Sequence, residues 1–211
     1  MKKLICEFSK DELLSMLNKQ LSNFFFLSDK EVDILSSLFD IVYERLYQCI
    51  AGVDNKYFRK NDSPFFSPYH SSQYCIYLYL YSNTCSKRDF KELGDKLYYL
   101  NKIMNSCDIY HEVELPTSFF FEHPIGTVLG RAKYGNNFTA LQGCTIGGNK
   151  GKYPKLGEKV TLLSNAKVIG DSNIGDNVII AANTYIKDTN IESNSIVFGT
   201  SPNLIIKRNK S

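Results

Sequence analysis

The sequence predicts an α+β chain, with a helical N-terminal part over residues 1–106 and a parallel β-helix of six-residue repeats over 107–211. Three observations lead there. Before residue 106, apolar residues recur at helical spacing, as in Leu13, Leu14, Leu17 and Leu21. After it, Leu156, Leu162, Val168, Ile174, Ile180 and Ile186 are spaced by six without a slip. Four places after each stands a residue that is small or β-branched in five of six cases: Val160, Ala166, Ser172, Val178, Thr184 and then Asn190. Neither a helix nor a strand has a period of six. A triangular coil does, with aliphatic side chains pointing inward from three short faces and small residues turning the corners.

The helical elements follow in order. KDELLSMLNKQLSNFF starts a helix with Ser9 as N-cap and Glu12 completing a capping box. DKEVDILSSLFDIVYERLYQCI repeats the pattern with Val32, Ile34, Leu35, Leu38, Ile41 and Val42. The polar stretch AGVDNKYFRKNDSPFFSP reads as a connector. A third helix is expected over His70–Asn83 and a fourth over Asp89–Asn105. The run YCIYLYLYS also alternates like a strand, and its tyrosines read as packing rather than ligand contacts.

In the coil, the frame extends backwards through Ile146, Ala140 and Tyr134. The run between Gly147 and Lys155 exceeds the period by four residues, so a loop should project there. The helical part should cap one end of the coil, and SPNLIIK should fold over the other. Flat prism faces favour side-by-side association, with a homotrimer expected and a dimer of trimers left open.

Composition excludes some functions. A net charge of +3 is too small for a nucleic-acid binder. The six cysteines form no CxxC pair and no zinc spacing, and they read as reduced, buried thiols. MKKLICEFSKDELL is broken by Glu7 and Lys10 and is no signal peptide, and no run is long enough to span a membrane.

Several stretches resemble the serine O-acetyltransferases of the hexapeptide-repeat acyltransferase superfamily. They are PYHSSQY (68–74), DIYHEVELP (108–116), EHPIGTVLG (122–130) and LQGCTIGG (141–148). The spacing from Asp108 to His123 also matches the family's. The resemblance implies a left-handed coil, an exception to the usual crossover hand. It implies transfer of acetyl from acetyl-CoA, as co-substrate, to a small-molecule hydroxyl, without a metal. His123 would be the general base, and Asp108 would hydrogen-bond its other ring nitrogen. Glu122 would help hold the acceptor, and backbone N–H groups near Gly148 would meet the oxyanion. Gly148, Ser164 and Ala182 would line the groove for acetyl-CoA, with Lys150, Lys152 and Lys155 near its phosphates. Cys144 is a rival nucleophile, although its coil position reads as inward. The resemblance also implies a cytoplasmic enzyme.

The pattern departs in places. Where the family's loop ends in Arg-His-Pro-Lys, this chain has Lys152-Tyr153-Pro154-Lys155. Lys152 could pair with a carboxylate and Tyr153 could donate, but lysine lacks the bidentate fork of arginine. The resemblance makes L-serine the expected acceptor, while this departure counts against it and favours the alternative, a sugar of a capsule or lipopolysaccharide precursor. The bulky Phe119–Phe121 run either reshapes the acceptor pocket or packs inward. The family's long C-terminal tail, which docks on the next enzyme of cysteine synthesis, is not seen, so that partner is not expected. A zinc enzyme of the same coil fold would need three histidines at one site, and His70, His111 and His123 are poorly placed for it. His111 reads as a partly exposed coil residue and His70 as a core or interface hydrogen bonder. A scaffold without chemistry is the last alternative.

Overall fold

A computed structural model describes residues 4–210. Four helices lead into a parallel β-helix. Strand β1 (Ile5–Cys6) precedes α1 (Lys10–Phe24) and α2 (Asp29–Ala51). Then come β2 (Arg59–Lys60), β3 (Ser63–Phe66), α3 (Ser71–Lys87) and α4 (Lys91–Asn105). Both first helices begin with a complete capping box, Ser9–Glu12 and Ser28–Glu31. On α1 the expected stripe Leu13, Leu14, Leu17 and Leu21 is buried. On α2 the buried stripe is Leu35, Leu38, Phe39, Val42, Leu46, Cys49 and Ile50. Ile41 falls between its turns and is exposed, against expectation.

One further expectation is corrected, and one is met where the sequence was ambiguous. The polar connector carries structure: β3 pairs parallel with β1 and antiparallel with β2. The tyrosine run is helical throughout, and every residue from Ser72 to Cys85 is buried. An apolar run buried all round shows no period that would separate helix from strand. Its tyrosines tie the halves together: Tyr79 donates to the Val113 carbonyl at 2.8 Å and accepts from Leu115 N–H at 3.0 Å. No helix among the described residues is long and apolar enough to cross a membrane.

The coil strands are β4 (Phe119–Phe121), β5 (Val128–Leu129), β6 (Phe138–Ala140), β7 (Thr145–Gly147), β8 (Lys155–Leu156) and β9 (Thr161–Leu162). They continue as β10 (Lys167–Ile169), β11 (Asn173–Ile174), β12 (Ile179–Ile180) and β13 (Tyr185–Lys187). One face stacks β4, β6, β9 and β12, and a second stacks β5, β7, β10 and β13. The third carries β8 and β11, extended by bridges at Lys133 and Ile191. The left-handed coil expected from the resemblance is the observed architecture.

All six aliphatic residues of the repeat point inward. Leu162, Val168, Ile180 and Ile186 are fully buried, and Leu156 and Ile174 nearly so. Leu162 stacks on Ala140 below and Ile180 above, and Val168 stacks between Ile146 and Ile186. Full burial of one such side chain is worth about 1.5–3 kcal/mol. Contrary to the expectation from sequence, the small residues do not turn the corners. Val160, Ala166, Val178 and Thr184 are buried inside them. The residue just before each one turns, in the left-handed region: Lys159 (φ 54°), Asn165 (φ 63°), Asn177 (φ 54°) and Asn183 (φ 61°). Asparagine tolerates that conformation better than most residues.

The last coil is closed by a hairpin. Strand β14 (Ser195–Thr200) pairs with β12 and β13, and β15 (Asn203–Arg208) returns antiparallel along it. Leu204 packs against the core there, as SPNLIIK led one to expect.

Candidate active site

The corner between the first and second faces recurs up the coil. In the upper turns it spans 141–144, 163–166 and 181–184. At the lowest turn it spans 122–127, two residues wider. His123 lies in this wide turn, in the left-handed region (φ 50°) and exposed to solvent. Backbone bonds hold the turn on both sides. Glu122 N–H donates to Ala140 at 3.1 Å, and Gly126 N–H donates to Ser106 at 2.9 Å. The buried Thr127 hydroxyl donates to the Leu141 carbonyl at 2.8 Å. Among the described residues the His123 ring has no hydrogen-bond partner, so it is open to a ligand.

Asp108 lies just past α4 and enters the coil through bonds to the same turn. Its N–H donates to Thr127 at 2.9 Å, and its carbonyl accepts from Leu129 at 2.9 Å. Its carboxylate does not hydrogen-bond His123 within the chain. It accepts from Tyr98 Oη at 2.8 Å and from Lys102 Nζ at 2.6 Å. These two donors went unrecognised in the sequence, since α4 reads there only as an amphipathic helix.

A second imidazole stands nearby. His70 caps α3, its Nδ1 facing Gln73 N–H at 3.5 Å and its ring edge-on to Phe58 at 5.4 Å. Burial pushes its pKa down, and the charge of His123 adds to that shift. Glu122 is half-buried beside His123. His111 is elsewhere and is fully buried, contrary to expectation. Its Nε2 meets Asp95 at 3.0 Å, and its ring lies 4.1 Å from that of Tyr110.

Of the expected acetyl-CoA residues, Ser164 and Ala182 share the His123 corner, one coil above the other. Gly148 belongs to the next corner, with Lys152 and Tyr153. It lies against Tyr153: a Cβ there would come within 2.6 Å of the ring, so a larger residue would have to push that exposed ring aside. Lys152 Nζ pairs with Asp171 at 2.6 Å. Lys152, Tyr153 and Lys155 join Arg131 and Lys133 around a groove of about 470 Å³. The Cys144 thiol is buried and approaches the Leu163 carbonyl at 3.2 Å, and burial raises its pKa. It faces inward and is no nucleophile. Phe119 and Phe121 are buried, and Phe120 packs edge-on against Phe58 at 5.2 Å. The phenylalanine run is core.

Comparison with known proteins agrees with this layout. The family described as bacterial transferase hexapeptide (six repeats) matches residues 153–188. A serine acetyltransferase of Helicobacter pylori (strain J99) is 30% identical over 118 residues, which cover 54% of this chain and 69% of that one. The chain belongs to the serine acetyltransferase family. Solved structures of the family share its fold. That of the Neisseria gonorrhoeae enzyme in complex with serine superposes with TM-score 0.70 and 24% identity, covering 90% of this chain and 82% of that one. A serine acetyltransferase in complex with CoA superposes with TM-score 0.71 and 20% identity, covering 93% and 84%.

Proposed function

We propose that this protein transfers acetyl from acetyl-CoA to the hydroxyl of L-serine, with His123 as general base. Membership of the serine acetyltransferase family supports that acceptor over a sugar. The observation that carries the mechanism is the placement of His123: exposed, unpartnered, in the wide turn, below Ser164 and Ala182 at one corner.

His123 takes the serine hydroxyl proton as that oxygen attacks the thioester carbonyl. Backbone N–H groups near Gly148 stabilise the tetrahedral oxyanion. The imidazolium then gives its proton to the departing CoA thiolate, and free imidazole is regenerated. Asp108, tied to the same turn, orients the ring and stabilises its charged form. Glu122 holds the amino group of serine. Lys152 leaves Asp171 to meet the carboxylate, and Tyr153 donates beside it.

His123 and the Lys152–Tyr153 pair stand at different corners of one prism. One chain therefore does not converge them on one acceptor. A homotrimer does, by setting the His123 corner of one chain against the loop corner of its neighbour. Acetyl-CoA then lies along the seam, on the small side chains of Ser164 and Ala182. The six free thiols fit a reducing cytoplasm.

Release of CoA thiol from acetyl-CoA, with L-serine beside a panel of nucleotide sugars, tests the acceptor. Rapid release with serine alone is expected, and release with a sugar alone would overturn the assignment.

A further inference from the structure

Asp108 sits where α4 meets the coil, and both its carboxylate oxygens are held. Tyr98 and Lys102 stand one helical turn apart on α4, so one helix face presents both donors. The Lys102 ammonium also lies 5.8 Å from the centre of the Tyr98 ring, and Tyr110 packs edge-on against that ring at 5.4 Å. The Tyr98 pKa is raised by burial and by Asp108, and that of Lys102 by its bond to Asp108. Both groups thus keep the protons they donate.

This clamp is joined to the reacting end of the site. Ser106 and Asp108, on either side of Cys107, bond through their backbones to Gly126, Thr127 and Leu129. The His123 turn is therefore hung from the end of α4. Each clamped carboxylate oxygen has a second lone pair free for an imidazole N–H.

We propose that Tyr98 and Lys102 are positioning residues of the transfer reaction, fixing the Asp108 carboxylate and, through it, setting the basicity of His123. This inference rests on the pairing of Asp108 with His123 proposed above. The other titratable groups around the pair are Cys107 with Cys75 of α3 behind it, Glu122 beside His123, and His70 at the head of α3.

The sign of the effect follows from the charges. In the proposed pair, a carboxylate against the imidazole would favour its protonated form, and the Lys102 ammonium would cancel part of that field. Removing the ammonium should raise the His123 midpoint. The chain has only three histidines, so NMR titration of the ring reads that midpoint directly, without turnover. Lys102→Met should raise it by roughly half a pH unit, the shift being limited by solvent screening. It should also lower kcat about tenfold with KM for acetyl-CoA unchanged, as expected when an outer partner loosens. Tyr98→Phe should shift the midpoint the same way by less, and Lys102→Arg should restore it. Lys102 is half-exposed and Tyr98→Phe removes one hydroxyl, so both variants keep the fold. Asp108→Asn should lower the midpoint. If Asp108→Asn lowers it while Lys102→Met and Tyr98→Phe leave it unmoved, the clamp is overturned and the pairing stands. If Asp108→Asn leaves it unmoved, the pairing fails and the clamp with it.

Discussion

The same corner of the coil is built in two ways. In the upper turns, Asn165 and Asn183 occupy the left-handed position, and the Asn165 side-chain amide donates to Asn183 at 3.3 Å. Below them is Gly143, where a Cβ would collide with the Asn165 side chain. These corners are self-satisfied and repeat without interruption. In the lowest turn, Gly126 (φ 73°), stacked under Gly143, keeps the left-handed position; two extra residues widen the corner ahead of it, where His123 adds a second left-handed residue (φ 50°) with its ring unpartnered. The difference teaches that, on the proposed mechanism, the chemistry sits where the repeat breaks. The regular turns supply a rigid column and small side chains, and the irregular turn leaves an imidazole exposed.

That contrast can be broken from either side. His123→Asn keeps a residue suited to the left-handed region and removes the base. It should reduce kcat by about 10²–10⁴-fold, with acetyl-CoA affinity by calorimetry and thermal stability unchanged. Ser164→Phe, two coils up, should fill the seam and raise KM for acetyl-CoA about tenfold, with kcat at saturation less affected. Asn165→Val leaves His123 untouched but puts a β-branched residue at φ 63°. It should cost roughly 1–2 kcal/mol, read as a lowered midpoint of chemical unfolding. Asp171→Asn frees Lys152 from an exposed ion pair and should change stability little, with at most a small change in KM for serine.

The sequence carried the coil because each turn must bury one aliphatic side chain per face, and Leu156 to Ile186 keep that period. The corner residues were harder to read. Asparagine, glycine and lysine all occupy the left-handed position, so no single residue type marks it. The capping box of α1 was legible because Ser9–Glu12 is local; that of α2, Ser28–Glu31, is as local but was seen only in the structure. The sheet formed by β1, β2 and β3 was not, since its parallel pair joins Ile5 to Phe65 across two helices. At the site, His123 and Asp108 stood out through motif and spacing. Tyr98 and Lys102 did not, because they meet Asp108 only after the chain reverses at Ser106 (φ 51°). His70 comes near His123 only through packing of α3 beneath the coil, which no short motif encodes.

The most direct test of the shared site is to mix two defective chains. One carries His123→Asn, the other Lys152→Ala with Tyr153→Ala, and each alone should be nearly inactive with serine. Refolded or co-expressed in equal amounts, they should form mixed trimers in which about one site in four joins an intact His123 corner to an intact loop corner. The expected result is recovery of about a quarter of the unmodified activity. Activity no higher than the two separate chains, in trimers proved to be mixed, would contradict a site built between subunits.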